Sequence, residues 1–301
     1  MLIKLGDKGP TVVEVQKLLS MLGYDLVIDG QFGPRSKRSV TAFQKKAGLP
    51  NTGEIDDTTY NALKLSQTRK SEEVITPRPS VNYDIPINTQ YRLNPNQFIK
   101  QVFEKTQIFI HYTAGGPNAR NVINHWNSNE PQIATAYIID GQDATVYECY
   151  SPDYWSYHLG IKGTKGRLDK ASIGIEVCAY GPLKLKDGKY YAWPDDYSSV
   201  EIPDEDVYKL DRDFRGFNHY ESLTDDQILS LEKLLEFLIV KYKIKVQKSF
   251  DYSWFDYNES VIKNTLPGIW THTTVRKDKC DLYPDNRVIE MLNRLAIKFG
   301  K

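Results

Sequence analysis

From Ser66 to about Asn96 the chain loses its periodic apolar pattern and carries Thr76-Pro77-Arg78-Pro79 and Ile85-Pro86 behind the polar Ser71-Glu72-Glu73. Proline fixes φ and removes a backbone donor, so neither a helix nor a sheet ladder runs through such a stretch. It reads as an extended, semi-rigid tether. A chain broken in this way folds as two bodies, and 301 residues are enough for two unequal ones, each with its own core. The expected division is a first body over 1–65, a tether over 66–96 and a second body over 97–301. Tyr83, Ile85, Ile87 and Tyr91 are apolar enough to lie along the second body, which leaves only the first part of the tether free.

The first body reads as three short helices. Apolar side chains at Val12, Val15, Leu18, Leu19 and Leu22 form a helical stripe, with Thr11 as expected N-cap, Glu14 three residues on and Gly23 as the stop. A second helix is expected from Ser36 to Lys46 with Val40 and Phe43 inward, and a third from Asp57 to Leu63. Between the first two lies the glycine-punctuated turn Ile28-Asp29-Gly30-Gln31-Phe32-Gly33.

The order Leu5-Gly6, Gly9, Val12, Val15-Gln16, Leu19, Gly23, Asp29-Gly30, Phe32-Gly33, Val40, Phe43-Gln44, Gly48-Leu49, Gly53, Ile55-Asp56, Thr59 and Leu63 resembles the peptidoglycan-binding type 1 domain. The resemblance implies attachment to the cell wall without catalysis. Most of these positions also serve the fold, as core residues or turn formers, so no binding residue is singled out.

In the second body Ile108-Phe109-Ile110 reads as a buried strand that runs into His111 and the loop Tyr112-Thr113-Ala114-Gly115-Gly116. Residues 118–126 read as a helix, 134–148 as two strands around a polar turn, and Ser172 to Cys178 as a further strand. Strand alternation puts Glu176 on one face with Gly174 and Ser172, opposite Ile173, Ile175 and Val177. A carboxylate there is either an edge residue facing solvent or a partly buried general base with a raised pKa. A loop-rich insertion is expected over 183–219, and its Tyr190, Tyr191, Trp193 and Tyr197 either line a glycan groove or pack the insertion down. Long helices follow at 224–243, with Thr224 and Gln227 as a capping box, and at 286–299. Strands interleaved with helices make this an α/β (α+β) domain with a central mixed β-sheet flanked by helices, beside the small all-α first body.

The chemistry concentrates in Thr271-His272-Thr273-Thr274-Val275-Arg276-Lys277-Asp278-Lys279-Cys280-Asp281, directly after the apolar turn Leu266-Pro267-Gly268-Ile269-Trp270. His272 and Asp281 can reach one Zn²⁺ if the loop folds back, and His111 is the best candidate for a third ligand. Two histidines and one carboxylate with an open fourth position is the composition of a catalytic zinc site. Each histidine alone also fits the plainer role of a satisfied, partly buried side chain.

Lys+Arg and Asp+Glu balance at 39 each, which gives no electrostatic reason to expect nucleic acid or an anionic membrane as partner. Three cysteines, Cys149, Cys178 and Cys280, suit free thiols better than a disulfide framework. The first residues lack the apolar core and cleavage site of a secretory signal, and no stretch has the length to span a bilayer. The expectation is a chain made in the cytoplasm, without membrane insertion and monomeric, that reaches an outside target by release.

A second resemblance rests on Ile110-His111-Tyr112-Thr113-Ala114-Gly115, Trp155 to His158-Leu159-Gly160, Ser172-Ile173-Gly174-Ile175-Glu176, the Leu223-Thr224-Asp225-Asp226-Gln227 helix start, and His272 with Lys279-Cys280-Asp281. In order and context these are similar to the type 2 N-acetylmuramoyl-L-alanine amidases, a family that includes phage lysozymes of this activity and peptidoglycan recognition proteins. The resemblance implies zinc held by His111, His272 and Asp281, with Glu176 as acid/base carboxylate and Lys279 as the cation beside the reacting carbonyl. It also makes His158 either a substrate-side residue or a buried hydrogen-bonding group. The implied substrate is peptidoglycan, glycan strand and stem peptide together, cut between N-acetylmuramic acid and L-alanine by a zinc-activated water; the implied setting is a phage or prophage endolysin.

Three departures from the family stand out. Thr135-Ala136-Tyr137 occupies the strand where members commonly have a histidine, Leu282 follows the last ligand where they have proline, and Cys280 neighbours Asp281 where some members use cysteine as ligand. The Lys-x-Asp register of Lys279 and Asp281 favours the aspartate. Two rivals remain at this level: a non-catalytic recognition protein, against which the joint presence of His111, His272, Asp281 and Glu176 argues, and a zinc peptidase cutting inside the stem peptide. The chain has no His-Glu-x-x-His, which removes one class of such peptidases.

Overall fold

A computed structural model of the protein describes residues 2–22, 24, 26–72, 85–128, 132–193 and 199–300. The chain forms two compact units, Met1–Asn82 and Tyr83–Lys301, each around its own hydrophobic core.

In the first unit α1 (Pro10–Met21), α2 (Pro34–Ala47) and α3 (Asp57–Glu72) enclose Val15, Leu19, Phe32, Val40, Ile55 and Leu63. The start of α1 differs from the sequence expectation. Its N-cap is Gly9 with Pro10 at the first turn and no side-chain cap, so Thr11 lies inside the helix. Proline at that position has no amide to leave unpaired and a φ already suited to the helix. Two buried glutamines staple the turns: Gln16 Oε1 accepts from the Gly30 amide (2.8 Å), and Gln44 Oε1 accepts from the Gly53 amide (2.8 Å). Both glycines have φ of 70°, a conformation an L side chain rarely adopts.

The stretch expected as a tether divides. The third helix runs on to Glu72, well past Leu63, and residues 73–84 lie outside the described ones. Ile87–Asn88 (β1) already pairs with Val146–Glu148 (β4), and the Leu93 amide donates to the Cys149 carbonyl (2.9 Å). Pro86 precedes the paired residues, so its missing donor interrupts nothing.

The second unit is α/β, with a six-stranded mixed sheet in the order β1-β4-β3-β5-β2-β11. Its inner strands are β2 (Gln107–Tyr112), β3 (Tyr137–Ile139) and β5 (Ser172–Val177), with β11 (Gly268–Thr271) at the far edge. Strands β3, β5, β2 and β11 run parallel, and only β3 with β4 is antiparallel. Every residue of β2 is buried, as its continuous apolar run requires of a parallel strand covered on both faces. The helices are α4 (Ala119–Ser128), α5 (Arg167–Ala171), α6 (Asp225–Tyr242), α7 (Glu259–Asn264), α8 (His272–Val275) and α9 (Asn286–Phe299). The capping box of α6 is formed, Thr224 with Gln227, and α6 and α9 bury the leucine faces read from the sequence.

The region expected as a loop-rich insertion is instead two small antiparallel sheets. One contains β6 (Leu183–Lys186), β7 (Lys189–Ala192) and β8 (Glu201–Ile202); the other is the hairpin of β9 (Val207–Phe214) and β10 (Phe217–Glu221). Asp187-Gly188 and Arg215-Gly216 are two-residue turns with positive φ at both positions, the geometry that matches the twist of paired strands. The Asp-Gly pair was a readable hairpin signal. Tyr190 packs on His219 (4.9 Å between ring centroids) and Trp193 on Phe217 (5.2 Å), so these aromatics hold the small sheets together. Tyr197 lies outside the described residues.

Candidate metal centre

Register alone brings the main groups together. His111 on β2 is paired with Glu176 on β5, and Ile110 with Thr271 on β11, so His111, Glu176 and His272 emerge side by side at the carboxyl ends of three parallel strands. Sites in open parallel sheets form at such ends. The chain then turns through α8, whose threonines are spent on anchoring it: Thr273 Oγ1 donates to the Phe255 carbonyl (2.8 Å) and Thr274 Oγ1 to that of Trp254 (3.1 Å). The returning loop ends on Asp281, whose carbonyl accepts from the Thr273 amide (3.1 Å).

His111, His272 and Asp281 form a buried group that can hold a metal ion. His111 Nδ1 lies 3.1 Å from His272 Nδ1 and 3.0 Å from Asp281 Oδ2, and His272 Nδ1 lies 2.9 Å from the same oxygen. Those edges approach the roughly 3.3 Å expected between tetrahedral ligands of zinc.

The outer ring nitrogens decide whether the set fits a cation. His272 Nε2 donates to the Leu159 carbonyl (3.0 Å), which can only accept, so a neutral His272 turns a lone pair inward. His111 Nε2 faces His158 Nδ1 (3.0 Å), His158 Nε2 faces Ser172 Oγ (2.8 Å), and Ser172 Oγ reaches the Asp169 carbonyl (3.5 Å). With that carbonyl as terminal acceptor, donation runs from His111 outward and leaves its Nδ1 a lone pair as well. Three electron-rich atoms then face one another at about 3 Å, an arrangement that a cation relieves, so the residues fit a metal.

Electrostatics agree. Burial pushes the His111 imidazole down to about 4, against the pull of the Asp281 carboxylate beside it. Burial alone would raise Asp281, but any proton on the two histidines that face it holds it well below the usual carboxylate range, so the carboxylate is the group that stays ionised. Neutral imidazoles with an ionised carboxylate are the forms that bind metal.

Glu176 stands beside this group. It is partly buried, and its Oε2 is enclosed without a hydrogen-bond partner among the described residues. Burial first, and then the charge of Asp281, raise its pKa well above the ordinary value, while Lys279 lowers it. Of the two readings of this carboxylate, the structure therefore favours the buried one. Lys279 is half-buried, and among the described residues it makes no hydrogen bond or ion pair; its charge acts on both Glu176 and His111.

The other expectations fall out as follows. His158 is buried with both ring nitrogens engaged, so it is a partner of His111 and has no nitrogen left for substrate. Cys280 Sγ accepts from the Tyr112 hydroxyl (2.8 Å) and stays out of the ligand group. Thr135 spends its hydroxyl on the Tyr137 carbonyl (2.9 Å). Ser172, Gly174 and Asp169 were not singled out from sequence. A Cβ on Gly174 would stand 3.0 Å from His158 Nδ1, and Asp169 Oδ1 accepts from the amides of His158 (2.9 Å) and Leu159 (3.0 Å). The alternation Ser172-x-Gly174-x-Glu176 was the available signal: one residue binds His158, the next makes room for it, and the third faces the centre.

The site is thus a buried two-histidine, one-carboxylate centre on an α/β sheet. Residues 103–281 match the family model described as N-acetylmuramoyl-L-alanine amidase, and the chain belongs to that family. Residues 8–63 match the model described as putative peptidoglycan binding domain. Among solved structures, a peptidoglycan-binding protein from Clostridioides difficile is 38% identical over 21% of this chain and 40% of its own (TM-score 0.21). The chain thus spans less than half the length of that relative. A Burkholderia AP3 phage endolysin is 33% identical over 21% of this chain and 24% of its own (TM-score 0.21). A mutant endolysin from Bacillus subtilis is 13% identical over 72% of this chain and 99% of its own (TM-score 0.40). No curated protein matches the chain. Among the described residues no helix is long and apolar enough to cross a membrane.

Proposed function

We propose that the protein is a zinc-dependent peptidoglycan hydrolase that cuts the amide bond between N-acetylmuramic acid and the L-alanine of the stem peptide. The observation that carries this reading is the pairing of a carboxylate oxygen without a partner among the described residues, Glu176 Oε2, with the converging ligand atoms of His111, His272 and Asp281. A buried acceptor without a partner costs stability, and catalytic groups are where such costs are kept.

In this reading His111 Nδ1, His272 Nδ1 and Asp281 Oδ2 hold the zinc, and His158 and the Leu159 carbonyl fix which nitrogen of each imidazole faces it. Zinc, when bound, supplies Lewis acidity that polarises the amide carbonyl and acidifies water. Glu176 takes the proton of the attacking water and returns it to the leaving amine of alanine; burial raises its pKa above the ordinary carboxylate value, which suits a group that both accepts and donates. Lys279, free of other partners among the described residues, offers its charge to the oxyanion. The module over 1–65, tethered to the catalytic body at 97–301, raises the local concentration of the enzyme at an insoluble polymer. A wall-binding module joined to an amidase is the composition of a lytic enzyme of the endolysin type, acting on the wall after release.

The test is digestion of purified peptidoglycan with end-group analysis, before and after chelation, with zinc added back and with Glu176→Gln in parallel. New amino-terminal alanine that disappears with chelator and returns with zinc is the expected result. Binding without any new amine would make the protein a receptor, and termini other than alanine would move the cut into the peptide.

A further inference from the structure

The β9–β10 hairpin contributes neither a ligand nor an acid/base group, yet it grips the segment that carries Lys279 and Asp281 from both sides. At its turn Arg215 Nη1 donates to the Lys277 carbonyl (2.6 Å) and Nη2 to the Thr273 carbonyl (3.1 Å). One acceptor lies in α8 and the other in the loop leaving it, so one planar guanidinium staples the two together. Arg215 has φ of 56°, a left-handed conformation that a non-glycine residue adopts only at a cost. Glycine or asparagine is the usual occupant of such a turn position. At the other end of the loop Tyr220 of β10 stacks on Tyr283, two residues past Asp281 (4.4 Å between centroids, 23° between planes). The Tyr283 hydroxyl in turn donates to the Glu221 carbonyl (2.9 Å).

We propose that the β9–β10 hairpin is a brace and that Arg215 is a positioning residue, holding the loop over 276–281 so that Asp281 and Lys279 stand in place before metal and substrate arrive. The metal arm of this inference rests on the zinc reading above; the loop arm does not. Groups that orient metal ligands in this way are typically worth about 10–100-fold in metal affinity.

The test uses the full chain with Arg215→Ala and Arg215→Lys, and with Arg212→Ala as control. Arg212 lies on the same hairpin, but its guanidinium sits 3.5 Å above the Tyr252 ring. Amide hydrogen exchange of residues 273–281 is followed in metal-stripped protein, zinc affinity by competition with a chelator, and kcat separately from KM. In Arg215→Ala the loop amides should exchange about tenfold faster or more, zinc should bind about 10–100-fold more weakly, and kcat should fall with KM retained. Arg215→Lys, with a point donor in place of the fork, should fall between, and Arg212→Ala should match the parent.

Loop exchange unchanged in Arg215→Ala overturns the brace, as does an effect equalled by Arg212→Ala, which would mark general loosening of the hairpin. Should Arg215→Ala fail to fold, the same comparison is read from Arg215→Lys. A parent protein that binds no zinc defeats the metal reading, while the exchange measurement still decides the brace.

Discussion

Gln16 in the first unit and Glu176 in the second are both polar side chains set among apolar neighbours, and they are treated in opposite ways. Gln16 is almost wholly buried; its Nε2 reaches Asp29 Oδ1 (2.9 Å) and the Gln31 carbonyl (3.0 Å), and its Oε1 accepts from Gly30. These bonds close the turn before α2, and a further one, from Nε2 to Ser36 Oγ (3.3 Å), ties α1 to α2. Glu176 keeps a buried oxygen that has no hydrogen-bond partner among the described residues. Glu221 lies between them: one carboxylate oxygen accepts from the Tyr180 amide, and burial pushes its pKa up to about 7 against that bond. A fully satisfied polar group builds structure, whereas an unsatisfied one costs stability and is kept for chemistry.

Glu176→Gln tests that contrast with the largest effect. Amide hydrolysis should fall about 10²–10⁴-fold, as loss of a general acid/base does, with the melting temperature unchanged or raised. A clear loss of stability with activity retained would break the comparison.

Gln16→Ala should do the reverse. It leaves the buried Gly30 amide without its acceptor, while Asp29 and Gln31 keep the amides of Gln31 and Gly33, which should cost the first unit about 1–3 kcal/mol in a urea titration of the whole chain. Hydrolysis of a soluble muropeptide should be untouched.

His158→Ala should weaken zinc binding by about 10–100-fold, read by chelator competition, because His111 loses the partner that fixes its tautomer. An affinity equal to the parent's would remove His158 from the site.

The smallest effect is on the pH dependence of stability. The folded pKa of Glu221 is raised from 4.5 to about 7, so between those values the folded chain binds more protons than the unfolded one, and stability falls as pH rises through that window. Glu221→Gln should therefore stabilise the protein by about 1–3 kcal/mol at pH 8 and hardly at all near pH 4, measured by denaturant titration at both values.

Much of this was legible in the sequence because it is local. The stripe of α9, the capping box of α6 and the alternation of β5 follow from spacing alone. The donors of the centre were legible too, since His111 and His272 each end an apolar run and Asp281 keeps its register to Lys279. Other features were not. Thr11 was outranked as a cap by the Gly9-Pro10 start, and Asp187-Gly188 went unread beside the charged residues of β6 and β7. His158 could not be assigned before Ser172 and His111 were brought to its two nitrogens.

By itself the sequence determined two bodies, most of the helices and the inner strands of the large sheet, and the set of residue types that suits a metal, because propensity, period and turn chemistry act over a few residues. Tertiary structure decided what those residues do. His111 and His272 are 161 positions apart and meet only through the register of β2 with β11. The orphaned oxygen of Glu176, the neutral tautomers of the histidines and the grip of Arg215 on the ligand loop all depend on which distant groups pack beside them. Burial and hydrogen-bond satisfaction are properties of the folded neighbourhood, and no short stretch of sequence contains it.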